Sequence, residues 1–228
     1  MNTTITDVFF DLDHTLWDFE TNSALAFRKV FHTHDIDVEV ERFIALYVPI
    51  NLKYWDLYRN DLVTQAELRH RRLKDTFDSF DYEISDEQIN FISEKYIEYL
   101  PQFNHLHDGT IEVLEYLKPK YNLHIITNGF DQIQYRKMKN SDIDHYFQTV
   151  TNSEMAGVKK PNLKIFEHAL SLAKANKSNS IMIGDCIDAD VRGALNAGMT
   201  AILFNENKKV IAEDVMQITH LLELKNIL

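Results

Sequence analysis

The stretch Val8-Phe9-Phe10-Asp11-Leu12-Asp13-His14-Thr15-Leu16 decides the fold. It opens as a short apolar run rich in Val and Phe, the composition of a strand buried on both faces of a parallel sheet. It closes in two acids separated by one residue. Side chains alternate along a strand, so Asp11 and Asp13 leave the same face while Leu12 turns back toward the core. Two carboxylates this close repel each other unless a cation stands between them or one keeps a proton. Seen alone, the triplet is more often a strand ending in a solvated acidic turn. The rest of the chain decides between the two.

Outward from this strand, the polar-aromatic loop Trp17-Asp18-Phe19-Glu20-Thr21-Asn22 leads into a long helical block. Asn22 or Ser23 can cap a first helix running to about His32. A second helical pattern covers roughly Val40 to Asn60, where Pro49 is expected to break or kink it. Thr64-x-x-Glu67 and Ser85-x-x-Gln88 are capping boxes for two more helices, ending near Phe80 and before Pro101. Tyr47, Asn51, Tyr54, Trp55, Tyr58 and Arg59 could touch a substrate, though packing the block's own core is the favoured reading. Arg69-His70-Arg71-Arg72 reads as a solvated basic face.

Beyond this block, strands and helices alternate. Asp108 can cap a helix over Gly109–Leu117. Leu123–Thr127 is a strand and Asp131–Lys139 a helix. A strand near Phe147–Thr151, a helix over Asn162–Ala175 and a strand over Ser180–Asp185 follow. A helix over Ala189–Ala197 stops at Gly198. Thr200–Phe204 is a further strand, and a last helix is expected over Glu213–Leu224. Alternation of this kind predicts an α/β fold, a Rossmann-like parallel sheet core, here with an inserted helical cap domain. The core is expected over residues 1–18 and 104–228 and the cap over 19–103.

Composition narrows the partners. The chain has 228 residues, 45% of them hydrophobic, enough for a substantial core. With 24 basic and 35 acidic residues its formal charge is −11, which argues against polymeric nucleic acid. One cysteine, Cys186, rules out an internal disulfide and fits a reducing compartment. No apolar run approaches the ~20 residues of a membrane span, and Met1-Asn2-Thr3-Thr4 has no signal-peptide character. A cytoplasmic protein, away from membranes and either monomer or homodimer, is the expectation.

Ligands of open α/β sheets bind at the carboxyl ends of the strands. Three of the expected strands end there in polar groups: Asp11 and Asp13, then Thr127-Asn128-Gly129, then Gly184-Asp185 with Asp188 and Asp190 close behind. Lys160 stands before Pro161 in a loop that feeds a helix. Each piece has an ordinary explanation as turn, cap or surface residue. Their joint arrival at strand ends is harder to explain that way.

These residues carry a resemblance. Asp11-Leu12-Asp13-His14-Thr15-Leu16, Ile126-Thr127-Asn128-Gly129, Lys160-Pro161 and Gly184-Asp185 to Asp190 resemble the four ordered motifs of the haloacid dehalogenase-like hydrolase superfamily. Asn196-Ala197-Gly198 trails the fourth as it often does there. The insertion resembles the helical cap of the group that carries caps after the first motif. Phe130, Gln134-Tyr135 and Ser153-Glu154 look most like the pyrimidine 5′-nucleotidase-like branch. The resemblance implies Asp11 as nucleophile and Asp13 as general acid and base. It implies Thr127, Asn128 and Lys160 as phosphate ligands. Magnesium would be held by Asp11, Asp185 and the main-chain carbonyl of Asp13. Asp190 would orient Lys160 or a metal-bound water, a role Asp188 could share. An acid at position 13 favours ester hydrolysis over dehalogenation, because a departing halide needs no proton. The cap would close over the site and exclude water. The implied reaction is hydrolysis of a small phosphate ester, a nucleoside 5′-monophosphate first. A sugar-phosphate or phosphoglycolate-type phosphatase, a phosphomutase and a non-catalytic binding module are the alternatives.

Overall fold

The computed structural model describes residues 4–80, 82–206 and 214–228. The chain divides into two compact units, Met1–Phe19 with Asn104–Leu228, and Glu20–Phe103.

The first unit is built on six parallel strands: β1 (Asp7–Phe10), β2 (Asn122–Thr127), β3 (Thr149–Asn152), β4 (Ser180–Gly184), β5 (Thr200–Phe204) and β6 (Gln217–Ile218). Their order is β3-β2-β1-β4-β5-β6. The central strand β1 is buried along its whole length, as an unbroken apolar run requires. Phe9, Ile126, Met182 and Leu203 face one side of the sheet. There they meet Ile165, Phe166 and Ala169 of the helix Leu163–Ala173, together with Val191 and Ala194. The chain winds away from β1 in both directions, so the point where strand order reverses lies between β1 and β4, the usual place for a ligand in such sheets.

The second unit is helical: α1 (Phe19–Thr33), α2 (Val40–Arg59), α3 (Gln65–Asp78) and α4 (Asp86–Tyr99). Phe27, Phe43, Tyr47 and Tyr96 interlock in its core, with Phe27 stacked on Tyr96 at 4.3 Å and edge-on to Tyr47 at 4.5 Å. Both capping boxes form. No helix among the described residues is long and apolar enough to cross a membrane.

Several expectations are corrected. Helix α1 begins at Phe19 rather than at Asn22 or Ser23, both of which are buried inside it. Helix α2 runs unbroken through Pro49; the tertiary packing of Phe43, Tyr47 and Tyr54 on either side outweighs one lost backbone bond. Asp108 is not a cap; Gly109 takes that position with φ of 82°. Arg72 is buried, its guanidinium bonded to Asn51 Oδ1 at 2.9 Å and lying over the Tyr47 and Tyr96 rings, so the basic run is not wholly a solvated face. The last expected helix is instead strand β6 followed by a short 3₁₀ segment, Leu221–Asn226; Glu213 lies outside the described residues. The apolar positions Ile218, Leu221 and Leu224 misled, because spacings of three suit a 3₁₀ turn as well as an α-helix.

Candidate active site

Pairing in the sheet brings the polar strand ends together. Phe10 lies opposite Ile125 on β2 and Ile183 on β4. Asp11, Thr127 and Asp185 therefore emerge at the same carboxyl edge. The Asp11 N–H donates to the Ile183 carbonyl at 2.9 Å, which extends the ladder by one residue and anchors the acid. The chain then turns sharply. His14 adopts φ of 63°, and its N–H donates to the Trp17 carbonyl at 3.0 Å. A left-handed residue with a Cβ costs roughly 1–2 kcal/mol; here the Trp17–Leu12 and Trp17–His14 backbone bonds hold it.

Lys160 stands at the centre. It is 2% exposed, and its ammonium lies 2.6 Å from Asp11 Oδ1, 2.6 Å from Asp190 Oδ1 and 2.7 Å from the Ile126 carbonyl oxygen. Burial alone would lower the lysine's pKa; Asp11 and Asp190 beside it outweigh that and raise it. Its backbone is gripped as well. The Lys160 N–H donates to Asn128 Oδ1 at 2.7 Å, and Asn128 Nδ2 donates to the Lys160 carbonyl at 3.1 Å. The Lys160–Pro161 bond is cis. Asn128 therefore fixes the loop that delivers the lysine.

Asp190 comes from a wide π-type segment, Ile187–Arg192, and its Oδ2 accepts from the Cys186 N–H at 3.0 Å. The absent side chain of Gly184 makes this possible. A Cβ built there would sit 2.4 Å from Asp190 Cγ. Gly184→Ala is expected to push Asp190 off Lys160 and destabilise the protein by about 1–3 kcal/mol. Thermal melts against wild type measure it; an unchanged melting point would contradict the contact. Asp188, in contrast, lies on the surface paired with Arg192 at 2.8 Å.

Asp11, Asp185 and Asp190 present carboxylate oxygens within 4.8 Å of one another. Among the described residues, Lys160 is the ammonium in contact with this group, so negative charge is in excess. Burial raises the Asp11 carboxyl well above its usual range, with Lys160 opposing and Asp190 and Asp185 adding to it. Asp185 is pushed up to about 7 by burial and by Asp190. A pocket of crowded carboxylates with only oxygen donors fits a hard divalent cation such as magnesium, and suits zinc or copper poorly.

Asp13 looks elsewhere. Its Oδ1 accepts from Lys137 Nζ at 2.7 Å and its Oδ2 from Gln134 Nε2 at 3.0 Å. Its side chain is thus bonded to the helix Asp131–Asn140. Thr127 Oγ1 accepts from Gln134 Nε2 at 2.8 Å and from the Gly129 N–H at 3.1 Å. In the sequence Gln134 stands out only through the resemblance, and Lys137 does not stand out. The available signal was Gln134-x-x-Lys137 on the helix that follows Thr127-Asn128-Gly129, two polar residues sharing one helix face.

A family model described as haloacid dehalogenase-like hydrolase matches residues 7–198. The chain is 29% identical over 209 residues to the pyrimidine 5′-nucleotidase YjjG of Escherichia coli, covering 91% of this chain and 89% of that one. It is 30% identical over 200 residues to the pyrimidine 5′-nucleotidase PynA of Streptococcus pneumoniae, covering 87% and 83%. Among solved structures, that of the HAD-hydrolase YfnB of Bacillus subtilis, bound to magnesium, superposes with a TM-score of 0.88 at 27% identity, covering 98% of both chains.

Proposed function

The chain belongs to the haloacid dehalogenase-like hydrolases, and from that premise we propose that it is a magnesium-dependent phosphomonoester hydrolase acting on nucleoside 5′-monophosphates through an aspartyl-phosphate. The observation that carries the reading is the buried ammonium of Lys160 held between Asp11 and Asp190, beside Asp185, at the carboxyl edge of the sheet. The two nucleotidase relatives, which match along most of their lengths, support the choice of substrate class.

In the first step a carboxylate oxygen of Asp11 attacks phosphorus. The ester P–O bond breaks, its electron pair stays on the leaving oxygen, and Asp13 supplies the proton that oxygen needs. In the second step Asp13 takes a proton from water, which attacks the same phosphorus and frees phosphate and the Asp11 carboxylate. Ester and water become alcohol and phosphate, and both aspartates end as they began. Lys160 fixes one oxygen of Asp11 and offsets charge on the phosphoryl group, with the Thr127 hydroxyl and Asn128 N–H as further ligands. Asp190 keeps Lys160 aimed. Asp11, Asp185 and the main-chain carbonyl of Asp13 would hold magnesium, which supplies positive charge against the phosphoryl oxygens.

A panel of phosphate esters assayed with magnesium or with EDTA tests this. Phosphate should appear from nucleoside 5′-monophosphates ahead of sugar phosphates and phosphoglycolate, and EDTA should stop it. Release from sugar phosphates alone would move the substrate class. Release from none would refute the reading.

A further inference from the structure

Asp11 has Lys160; Asp13 has an ammonium of its own. Helix Asp131–Asn140 puts Gln134 and Lys137 one turn apart, and both are buried. Lys137 Nζ lies 2.7 Å from Asp13 Oδ1 with 3% of the lysine side chain exposed. The ammonium also sits 4.3 Å from the Trp17 ring centroid and 5.2 Å from that of Phe19. The Trp17 indole N–H donates to Ser141 Oγ at 3.2 Å, which fixes the plane of that ring. Lysine on a helix normally extends its head into water. Burying it is heavily penalised unless a charge partner and ring faces compensate, as they do here. Gln134 completes the grip, donating to Asp13 Oδ2 and to Thr127 Oγ1. Gly129 leaves room for it, since a Cβ there would lie 2.4 Å from Gln134 Cδ.

We propose that Lys137, assisted by Gln134, is a positioning residue that fixes the carboxylate plane of Asp13 for proton transfer to the leaving oxygen. The inference rests on the reading of Asp13 as general acid and base. Each oxygen of Asp13 has its own donor, so the side chain is held against rotation. The proton Asp13 gives in the first step is regained from water in the second, so Lys137 neither gains nor loses one. A residue that positions the acid matters most where the leaving group is a poor one.

The test measures kcat and KM on phosphate esters of graded leaving-group acidity, from nitrophenyl to alkyl, in saturating magnesium. Asp13→Ala provides the reference, and its loss should grow from about 10-fold on the aryl ester to about 10³-fold on the alkyl ester. Lys137→Met should follow the same trend, about 3-fold rising to about 100-fold in kcat, with KM within about threefold of wild type. Lys137→Arg, which still donates to Oδ1, should recover most of the loss. If Lys137→Met does not fold, Gln134→Leu reads the same grip from Oδ2 and should show the same gradient. A loss equal across leaving groups, or confined to KM, would overturn the role of Lys137. A flat series for Asp13→Ala itself would instead overturn the acid–base reading beneath it.

Discussion

Asp11→Asn is expected to lose at least about 10⁴-fold in kcat and to melt at or above the wild-type temperature when metal is absent. The two halves have different origins. A neutral amide cannot attack phosphorus, so the covalent route closes. Stability behaves otherwise because the native site crowds Asp11, Asp185 and Asp190 around one ammonium. Burial raises the Asp11 carboxyl, which means that folding favours its uncharged form. Asparagine is uncharged and nearly isosteric, so it relieves repulsion while Lys160 keeps its bonds to Asp190 and the Ile126 carbonyl. At pH 8 without metal the variant should gain about 1 kcal/mol, or about 2–4 °C. Steady-state kinetics with melts in EDTA check both. Activity near wild type would exclude Asp11 as nucleophile.

The same crowding predicts an unusual response to pH. Asp185 has a folded pKa of about 7 against an ordinary value of 3.8. The folded state therefore holds a proton longer than the unfolded chain does. Its contribution to stability is complete below about pH 4 and is lost as pH rises through about 7. About three pH units at 1.36 kcal/mol each would give about 4 kcal/mol. Asp185 shares its crowding with Asp11 and Asp190, so the loss is on the order of a few kcal/mol. On the proposed reading magnesium would bind the ionised carboxylates, and it should then restore what is lost. Melts at pH 5 and pH 8, with EDTA and with magnesium, are expected to give a larger magnesium gain at pH 8, by several degrees. An equal gain at both would contradict a site built from raised carboxylates.

Much of this was legible in the residues because the features that matter are local. The run Val8–Phe10 has no polar residue to spoil burial, and β1 is the sheet's central strand. The capping boxes at Thr64 and Ser85 pair a hydroxyl with Glu67 and Gln88, and local geometry alone completes them. Asp11, Thr127 and Asp185 emerge together for a topological reason, since parallel strands all end at one edge. What stayed hidden depends on contacts between distant residues. Lys137 reads as one more helix lysine until Trp17 and Phe19 are seen beneath it and Asp13 beside it. Arg72 reads as surface until the Tyr47 and Tyr96 rings cover it. The Asn128 side chain reads as turn chemistry, yet it spans to the backbone of Lys160. At the far end of the chain, three-residue spacing did not separate an α-helix from a strand followed by a 3₁₀ turn.

The covalent step at Asp11 can be observed directly. The protein is mixed with magnesium and a nucleoside 5′-monophosphate carrying a labelled phosphoryl group, quenched in acid within the first turnovers, and reduced with borohydride. Peptide mass spectrometry should find residue 11 converted to homoserine in proportion to the label bound before reduction. Turnover with no label on the protein, or with label on any residue other than Asp11, would contradict the account.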